Sequence, residues 1–237
     1  MNILAIEAAA KVAGAALLRD GRIAAEQSVN GPLTHSETLM PMIDAVLRAA
    51  DVTPDALDLI TLTAGPGSFT GLRIAAATAK GLALGHKIPV LPLSTLEALA
   101  WNAGEWDGLT VPIMDARRSQ VYGAVYDHGV CLYGPDAMPP QELCDELIRL
   151  GRPCLFLGDA ADLYENFFRE KLGALYRKAS PDKKDLRAAS SAALALKKLS
   201  EGGAPISGSD LKPEYLRKPQ AEREREERLK KAAAPEH

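Results

Sequence analysis

The segment Gly65-Pro66-Gly67-Ser68-Phe69-Thr70-Gly71-Leu72-Arg73 combines glycines, hydroxyls and a cation in a pattern able to do chemistry. Glycine lets the backbone reach positive φ and lets another surface come close. Ser68 and Thr70 can accept hydrogen bonds from the first free N–H groups of a helix that opens there. Such a corner can cradle an anion or dock a protein; the plainer reading is a tight strand–helix turn that glycine merely permits. No Walker-type lysine and serine follow the glycines in the required order, which argues against a phosphate loop. Asp115, Arg117 and Arg118 are a second set, with side chains suited to a phosphate or a nucleotide. The plainer reading of that set is a solvated tip with a local ion pair. His35, His86, His128 and His237 are scattered, and Leu39 occupies the place one turn after His35 where a metal pair needs a second ligand. No serine–histidine–acid set or pair of carboxylates assembles. The expectation is therefore no catalytic residue, no cofactor site and no metal site.

These residues need elements to hold them. Residues 2–6 read as a buried strand, and residues 12–19 and 22–29 as a hairpin around the turn dipeptide Asp20-Gly21. A helix over 35–50 carries Leu39, Met40, Ile43, Val46 and Leu47 at three- and four-residue spacing, with Pro41 in its first turns where a missing N–H costs least. A strand over 57–63, a helix over 72–84 and a strand over 88–93 follow. Ser94 then caps a further helix, with Glu97 three residues on as a capping box. The order βββαβαβα is the layout of a ribonuclease-H-like half, the repeating unit of actin-like and sugar-kinase-like α/β proteins.

Composition shifts near 102–108. The second part reads as strand 109–114, the tip 116–119, strand 121–126, helix 140–150, strand 153–157 and helices over 160–172 and 186–199, smaller and poorer in strands than the first. The expected division is a first actin-like half over 1–104, a reduced second half over 105–218 and a charged tail over 219–237. In that tail Glu224–Arg228, Glu226–Lys230 and Glu227–Lys231 are favourable i,i+4 pairs without an apolar stripe. It reads as a fraying helix or a disordered end. No internal sequence repeat is visible.

The chain has 237 residues, long enough to bury roughly 70% of the surface its unfolded form exposes. A formal charge of −3 gives no global pull on nucleic acid, so an RNA contact would need a local patch. Cys131, Cys144 and Cys154 are odd in number and widely spaced with no Cys-x-x-Cys pair, so neither a zinc ribbon nor a disulfide framework is indicated, and a reducing cytoplasm fits. A strand starting at residue 2 or 3 leaves no room for a signal peptide, and no apolar stretch approaches the ~20 residues of a membrane span.

Two features narrow the function. Actin-like ATPases end their first strand with an Asp, followed by a glycine-and-hydroxyl turn that holds phosphates and magnesium. Here the strand ends Glu7-Ala8-Ala9-Ala10, and alanine has no side-chain donor for phosphate. Second, Ala75, Ala76, Ala79, Gly81, Ala83 and Gly85 make the helix after the glycine loop very small-surfaced, which permits close approach of another helix. Together with helix 35–50 it can form half of a four-helix interface with a partner.

The chain resembles the TsaB (YeaZ) family over most of residues 3–220. The likeness is densest at His35-Ser36-Glu37 with Pro41-Met42-Ile43-Asp44, at Gly65 to Arg73 with Ala77-Thr78-Ala79-Lys80-Gly81-Leu82-Ala83, at Ser94-Thr95-Leu96-Glu97-Ala98-Leu99, at Asp115-Ala116-Arg117-Arg118 with Val121-Tyr122, and at Pro213-Glu214-Tyr215-Leu216-Arg217. The resemblance implies an actin-like fold of two halves and a non-catalytic subunit for N6-threonylcarbamoyladenosine formation at position 37 of tRNA. It implies binding to TsaD through a helical bundle of first halves, with the ATPase TsaE joining the assembly, a homodimer when alone, and only indirect contact with tRNA. On this reading Leu39, Met40, Ile43, Val46, Leu47, Leu72, Ala75, Ala76, Ala79 and Ala83 form the TsaD contact. Gly65, Gly67, Ser68, Thr70, Gly71 and Arg73 form a docking loop, and Asp115, Arg117 and Arg118 a polar contact. The family's usual Asp-Thr-Ser is Glu7-Ala8-Ala9 in this chain. Two alternatives stand beside it: an actin-like ATPase, kinase or glycoprotease-like peptidase using Glu7 and Asp115, and a tRNA-binding module using Arg117, Arg118 and the tail.

Overall fold

A computed structural model describes residues 1–31 and 34–216; the charged tail over 219–237 lies outside them. The elements run β1 (Asn2–Glu7), β2 (Ala13–Arg19), β3 (Arg22–Val29), α1 (His35–Ala49), β4 (Leu59–Gly65), α2 (Phe69–His86), β5 (Val90–Ser94) and α3 (Thr95–Trp101). They continue β6 (Leu109–Arg117), β7 (Gln120–Asp127), β8 (Val130–Met138), α4 (Pro140–Leu150), β9 (Cys154–Leu157), α5 (Ala160–Leu163), α6 (Glu165–Leu172), β10 (Tyr176–Lys178), α7 (Pro181–Lys184) and α8 (Ala188–Ser200).

The strands form two sheets ordered β3-β2-β1-β4-β5 and β10-β9-β6-β7-β8. In each, the first strand pairs antiparallel with the second and parallel with the fourth: Ile6 opposite Ala15 and Leu62, Leu109 opposite Asp127 and Cys154. The second sheet therefore repeats the topology of the first, β6 standing for β1 and β9 for β4, although the sequence shows no repeat. It has the same number of strands, five, so the expected poverty in strands does not hold. Two strands lie outside the expected set: β8, an edge strand whose residues are mostly exposed and which contains Gly134-Pro135, and β10, only three residues long. The helix expected over 160–172 is interrupted at Tyr164.

Strand alternation assigns the helices to faces. Leu4, Ile6, Ala15 and Leu17 turn to one side of the first sheet and pack under α1 and α2; Ile3, Ala5, Ala16 and Leu18 turn to the other, with α3 and α8. Helix α8 thus covers the first sheet although it follows the second in sequence. Thr34 and Glu37 form a capping box on α1, the Thr34 N–H donating to the Glu37 carboxylate at 2.8 Å. The box expected at Ser94 is half made. Ser94 Oγ accepts from the Glu97 N–H at 3.5 Å, but the Glu97 carboxylate turns to Lys198 at 2.7 Å.

Candidate functional site

Helices α1 and α2 lie side by side on one face of the first sheet, and their outer faces are surface. The side chains expected at a partner contact are mostly beneath them. Leu39, Ile43, Val46, Leu47, Leu72, Ala75, Ala76, Ala79 and Ala83 are each at most 5% exposed and belong to the core; of the ten, Met40 alone is open, at 48%. The cause is physical. The apolar stripe of an amphipathic helix is the part its own sheet buries first. What α2 presents outward is Arg73, Ala77, Gly81, Leu84 and Gly85. A Cβ added at Gly81 or Gly85 would meet nothing within 4 Å. Ala77, Gly81 and Gly85 are spaced four apart and therefore form one outward ridge of minimal height. Met40, Pro41 and Asp44 are exposed on α1 beside it.

The glycine loop is held by its own chain. A Cβ at Gly65 would fall 2.0 Å from the Glu214 carbonyl, at Gly67 2.4 Å from the Ala9 carbonyl and at Gly71 1.9 Å from the Ala8 carbonyl. The Ser68 N–H donates to the Ala9 carbonyl at 2.8 Å, and Ser68 Oγ accepts from Gly71 N–H at 3.2 Å. Ser68 is the cap; Thr70 is an exposed residue inside α2. The glycines are therefore required by intramolecular packing, and the Ser68 and Gly71 amides are already engaged within the chain. Arg73 lies over the Phe69 ring, 3.9 Å from its centroid, and its Nε donates to the Tyr215 hydroxyl at 3.2 Å. Tyr215 packs on Phe69 with centroids 5.0 Å apart, and Glu214 N–H donates to Ala64 O at 2.7 Å. This straps the segment 213–216 across the start of α2. Tyr215→Ala removes both contacts. It should speed hydrogen exchange at the Glu214 amide about five-fold, on ~1 kcal/mol of local stability, with little change in global Tm.

A cleft of about 410 Å³ joins the two sheets and brings Gly67 and Ser68 to the tip carrying Asp115 and Arg117. It is also lined by Lys11, His35, Tyr122 and Asp159, which no motif groups. Arg117, Arg118 and Ser119 turn the tip with φ of 63°, 54° and 56°. Asp115 holds it, accepting the Arg117 N–H at 2.8 Å and pairing with the Arg117 guanidinium at 3.3 Å. Arg118 is exposed and does not line the cleft.

Glu7 is 1% exposed under α8 and does not line the cleft that holds Asp115. Thr63 Oγ1 donates to one carboxylate oxygen at 2.6 Å and Ser191 Oγ to the other at 2.5 Å. Burial pushes its pKa up to about 7 against the opposing pull of the two hydroxyls. Among the described residues no three His, Cys, Asp or Glu side chains are grouped to hold a metal, and no helix is long and apolar enough to cross a membrane.

Comparison with known proteins gives this arrangement a family. The family model described as TsaD, tRNA N6-adenosine threonylcarbamoyltransferase, matches residues 32–225. The tRNA threonylcarbamoyladenosine biosynthesis protein TsaB of Bacillus subtilis is 39% identical over 178 residues, 73% of this chain and 77% of that protein. The chain belongs to the TsaB (YeaZ) family. The Escherichia coli protein of the same name is 36% identical over 128 residues, 53% of this chain and 55% of the relative, so the chain spans about half of that protein's length. A Pseudomonas aeruginosa crystal structure described as similar to peptidase YEAZ superposes with a TM-score of 0.76 at 26% identity, over 91% of this chain and 99% of that one. A ROK hexokinase from Thermus thermophilus, at TM-score 0.52 and 13% identity over 85% of this chain and 100% of that one, shares the fold alone. This chain is thus an actin-like α/β protein in which the two sheets repeat one topology.

Proposed function

We propose that this TsaB-family chain serves tRNA threonylcarbamoyladenosine biosynthesis as a non-catalytic subunit that docks TsaD through the outer faces of α1 and α2. The relatives named for that pathway supply the pathway. The observation that supports docking is the outward ridge Ala77-Gly81-Gly85. Gly81, inside the helix, costs ~1 kcal/mol relative to alanine, and nothing within 4 Å in the chain itself requires it or Gly85. A helix from another subunit, lying at the short end of the ~8–10 Å interaxial range, does require them. Exposed Met40 and Leu84, at 48% and 59%, supply apolar area beside the ridge. Residues 1–104 are the unit that carries this face, residues 105–218 the second half and 219–237 the tail. TsaE joins through the TsaD complex, the same face pairs two copies when TsaD is absent, and tRNA contact is indirect.

The non-catalytic reading rests on Glu7. The carboxylate that an actin-like catalyst presents to phosphate is here buried under α8 with both oxygens engaged. The backbone carbonyls of Ala8 and Ala9 abut the glycine loop where a phosphate would lie.

Threonylcarbamoyl transfer to tRNA, measured with TsaD, TsaE, the adenylate-forming enzyme and ATP from the same organism, tests both. The expected result is that this chain alone is inert and that adding it switches transfer on. Unchanged transfer on addition overturns the scaffold role. Magnesium-dependent ATP binding to the isolated chain by calorimetry overturns the non-catalytic one.

A further inference from the structure

The Thr110 hydroxyl is a polar group inside the molecule that the fold leaves without a partner. Along β6, Leu109, Val111 and Ile113 enter the core under α4, so Thr110 turns the opposite way, toward α3. It is 8% exposed, and its hydroxyl makes no hydrogen bond among the described residues. The unpartnered side-chain atoms sealed from all solvent are on Thr95, Asn102 and Tyr176; the Thr110 oxygen is not one of them and keeps open surface. That surface faces a cavity of about 760 Å³, which Thr110 lines. A hydroxyl can donate one hydrogen bond and accept two, and leaving it unmet in the interior is costly.

The cavity shares no residue with the cleft described above. It lies where the chain passes from the first sheet to the second, among α3, the connection 102–108, β6, β7 and α8. Its volume is within the usual range for small-molecule sites. Apolar wall comes from Trp106, Ala100, Ala103 and Leu194. The Trp106 indole N–H is donated to the Leu109 carbonyl at 3.3 Å, which fixes that side chain and leaves its ring as surface.

Charge does not select a ligand here. Around the mouth Glu97 pairs with Lys198 at 2.7 Å, Lys197 with Glu201 at 3.2 Å, and His128 bonds Asp127 at 2.8 Å. Arg152 feels the charge of Asp107, and the Lys183 ammonium donates to the Ala103 carbonyl at 3.4 Å. The Lys197 ammonium already stands over the Trp101 ring, 5.3 Å from its centroid. An ion of either sign therefore meets both signs, and gains nothing there to offset the water it gives up on entry.

We propose that this cavity binds a small uncharged aromatic molecule with one polar group, its ring against Trp106 and the aliphatic wall and its polar group hydrogen-bonded to the Thr110 hydroxyl. The ring supplies most of the affinity by leaving water, and Thr110 sets which edge of the ring turns inward.

The chain has two tryptophans, Trp101 and Trp106, and both line this cavity. Their indole N–H resonances in a nitrogen-15 correlation spectrum therefore report on this site. The probes are 2-naphthol, naphthalene, 2-naphthoate and 2-naphthylmethylammonium, each titrated into the full chain at neutral pH below its solubility limit. 2-Naphthol should shift both indole signals saturably. Naphthalene should bind about five-fold more weakly, the effect of one net hydrogen bond. The two ions should bind at least ten-fold more weakly than 2-naphthol. Thr110→Val should abolish the preference for 2-naphthol over naphthalene, and Thr110→Ser, which keeps the hydroxyl, should retain it. The remaining resonances show whether each variant is folded, and the order of the four probes on the parent chain is a test that needs no variant. Equal binding of 2-naphthol and naphthalene, an ion that binds as tightly as 2-naphthol, a preference that survives in a folded Thr110→Val chain, or no indole shift with any probe overturns the proposal.

Discussion

Replacing Gly81 with arginine should raise the melting temperature of the isolated chain and at the same time abolish its binding to TsaD. Position 81 is in the middle of α2, where glycine costs ~1 kcal/mol of helix stability relative to a straight-chain residue. A new Cβ there meets nothing, so the folded monomer gains that amount, about 2–4 °C in a chain of this size. The docked state suffers the opposite. On the proposed docking face a guanidinium at this position holds the partner helix away from Ala77 and Gly85 as well. The expected loss is 100-fold or more in affinity, about 3 kcal/mol. Gly81→Ala is the control, with the same gain in stability and binding within a few-fold of the parent. The opposite signs are what make the test decisive. Ala76→Arg would also abolish binding, but Ala76 is 5% exposed in the core and its loss of binding would report unfolding. Wild-type affinity of the Gly81→Arg chain for TsaD would move the docking face elsewhere on the molecule.

The contrast between Ala76 and Gly81 also shows what the sequence discloses. Local signals carried the first half. Asp20-Gly21 marks the hairpin, and the spacing of Leu39, Ile43, Val46 and Leu47 marks α1, because turn chemistry and helical period are properties of neighbouring residues. The same period cannot say whether its stripe meets the chain's own sheet or another protein. It named the core of α1 and α2, and the outward ridge emerged only when burial was known. Packing across the chain was equally hidden. Leu186 to Leu199 reads as a helix from its composition, but that it lies on β1 and β2 rather than on the preceding sheet is decided by the fold. Lys11 and Asp159 meet in the cleft from positions far apart in sequence, with no motif to join them. The repeated topology was invisible for a related reason: β8 keeps its place by backbone pairing, with exposed side chains free of any pattern.

Glu7 is a departure the sequence did disclose, and its consequence is a pH dependence of folding. In the unfolded chain its carboxyl titrates near 4.5; in the folded chain burial raises it to about 7. The folded state therefore binds a proton more tightly than the unfolded state. By linkage the stability that Glu7 contributes is complete below about pH 4.5, declines as pH rises through the interval to about 7, and is flat above it. The amplitude is about 3 kcal/mol, an order-of-magnitude figure. Glu7→Gln keeps the shape and cannot ionise. One hydroxyl must then turn to accept from the new amide, which Ser191 can do by donating instead to the Arg187 carbonyl at 3.4 Å. Denaturant unfolding at pH 5 and pH 8 should show the parent losing stability relative to the variant as pH rises, with most of the change falling between those two values. Every other titrating group is common to both chains and cancels in the difference. Parallel pH profiles would mean that water reaches Glu7 and that its carboxylate is ionised in the folded chain. The same result would return an available acid to the end of the first strand, the place where an actin-like enzyme keeps its own, and with it the case for catalysis.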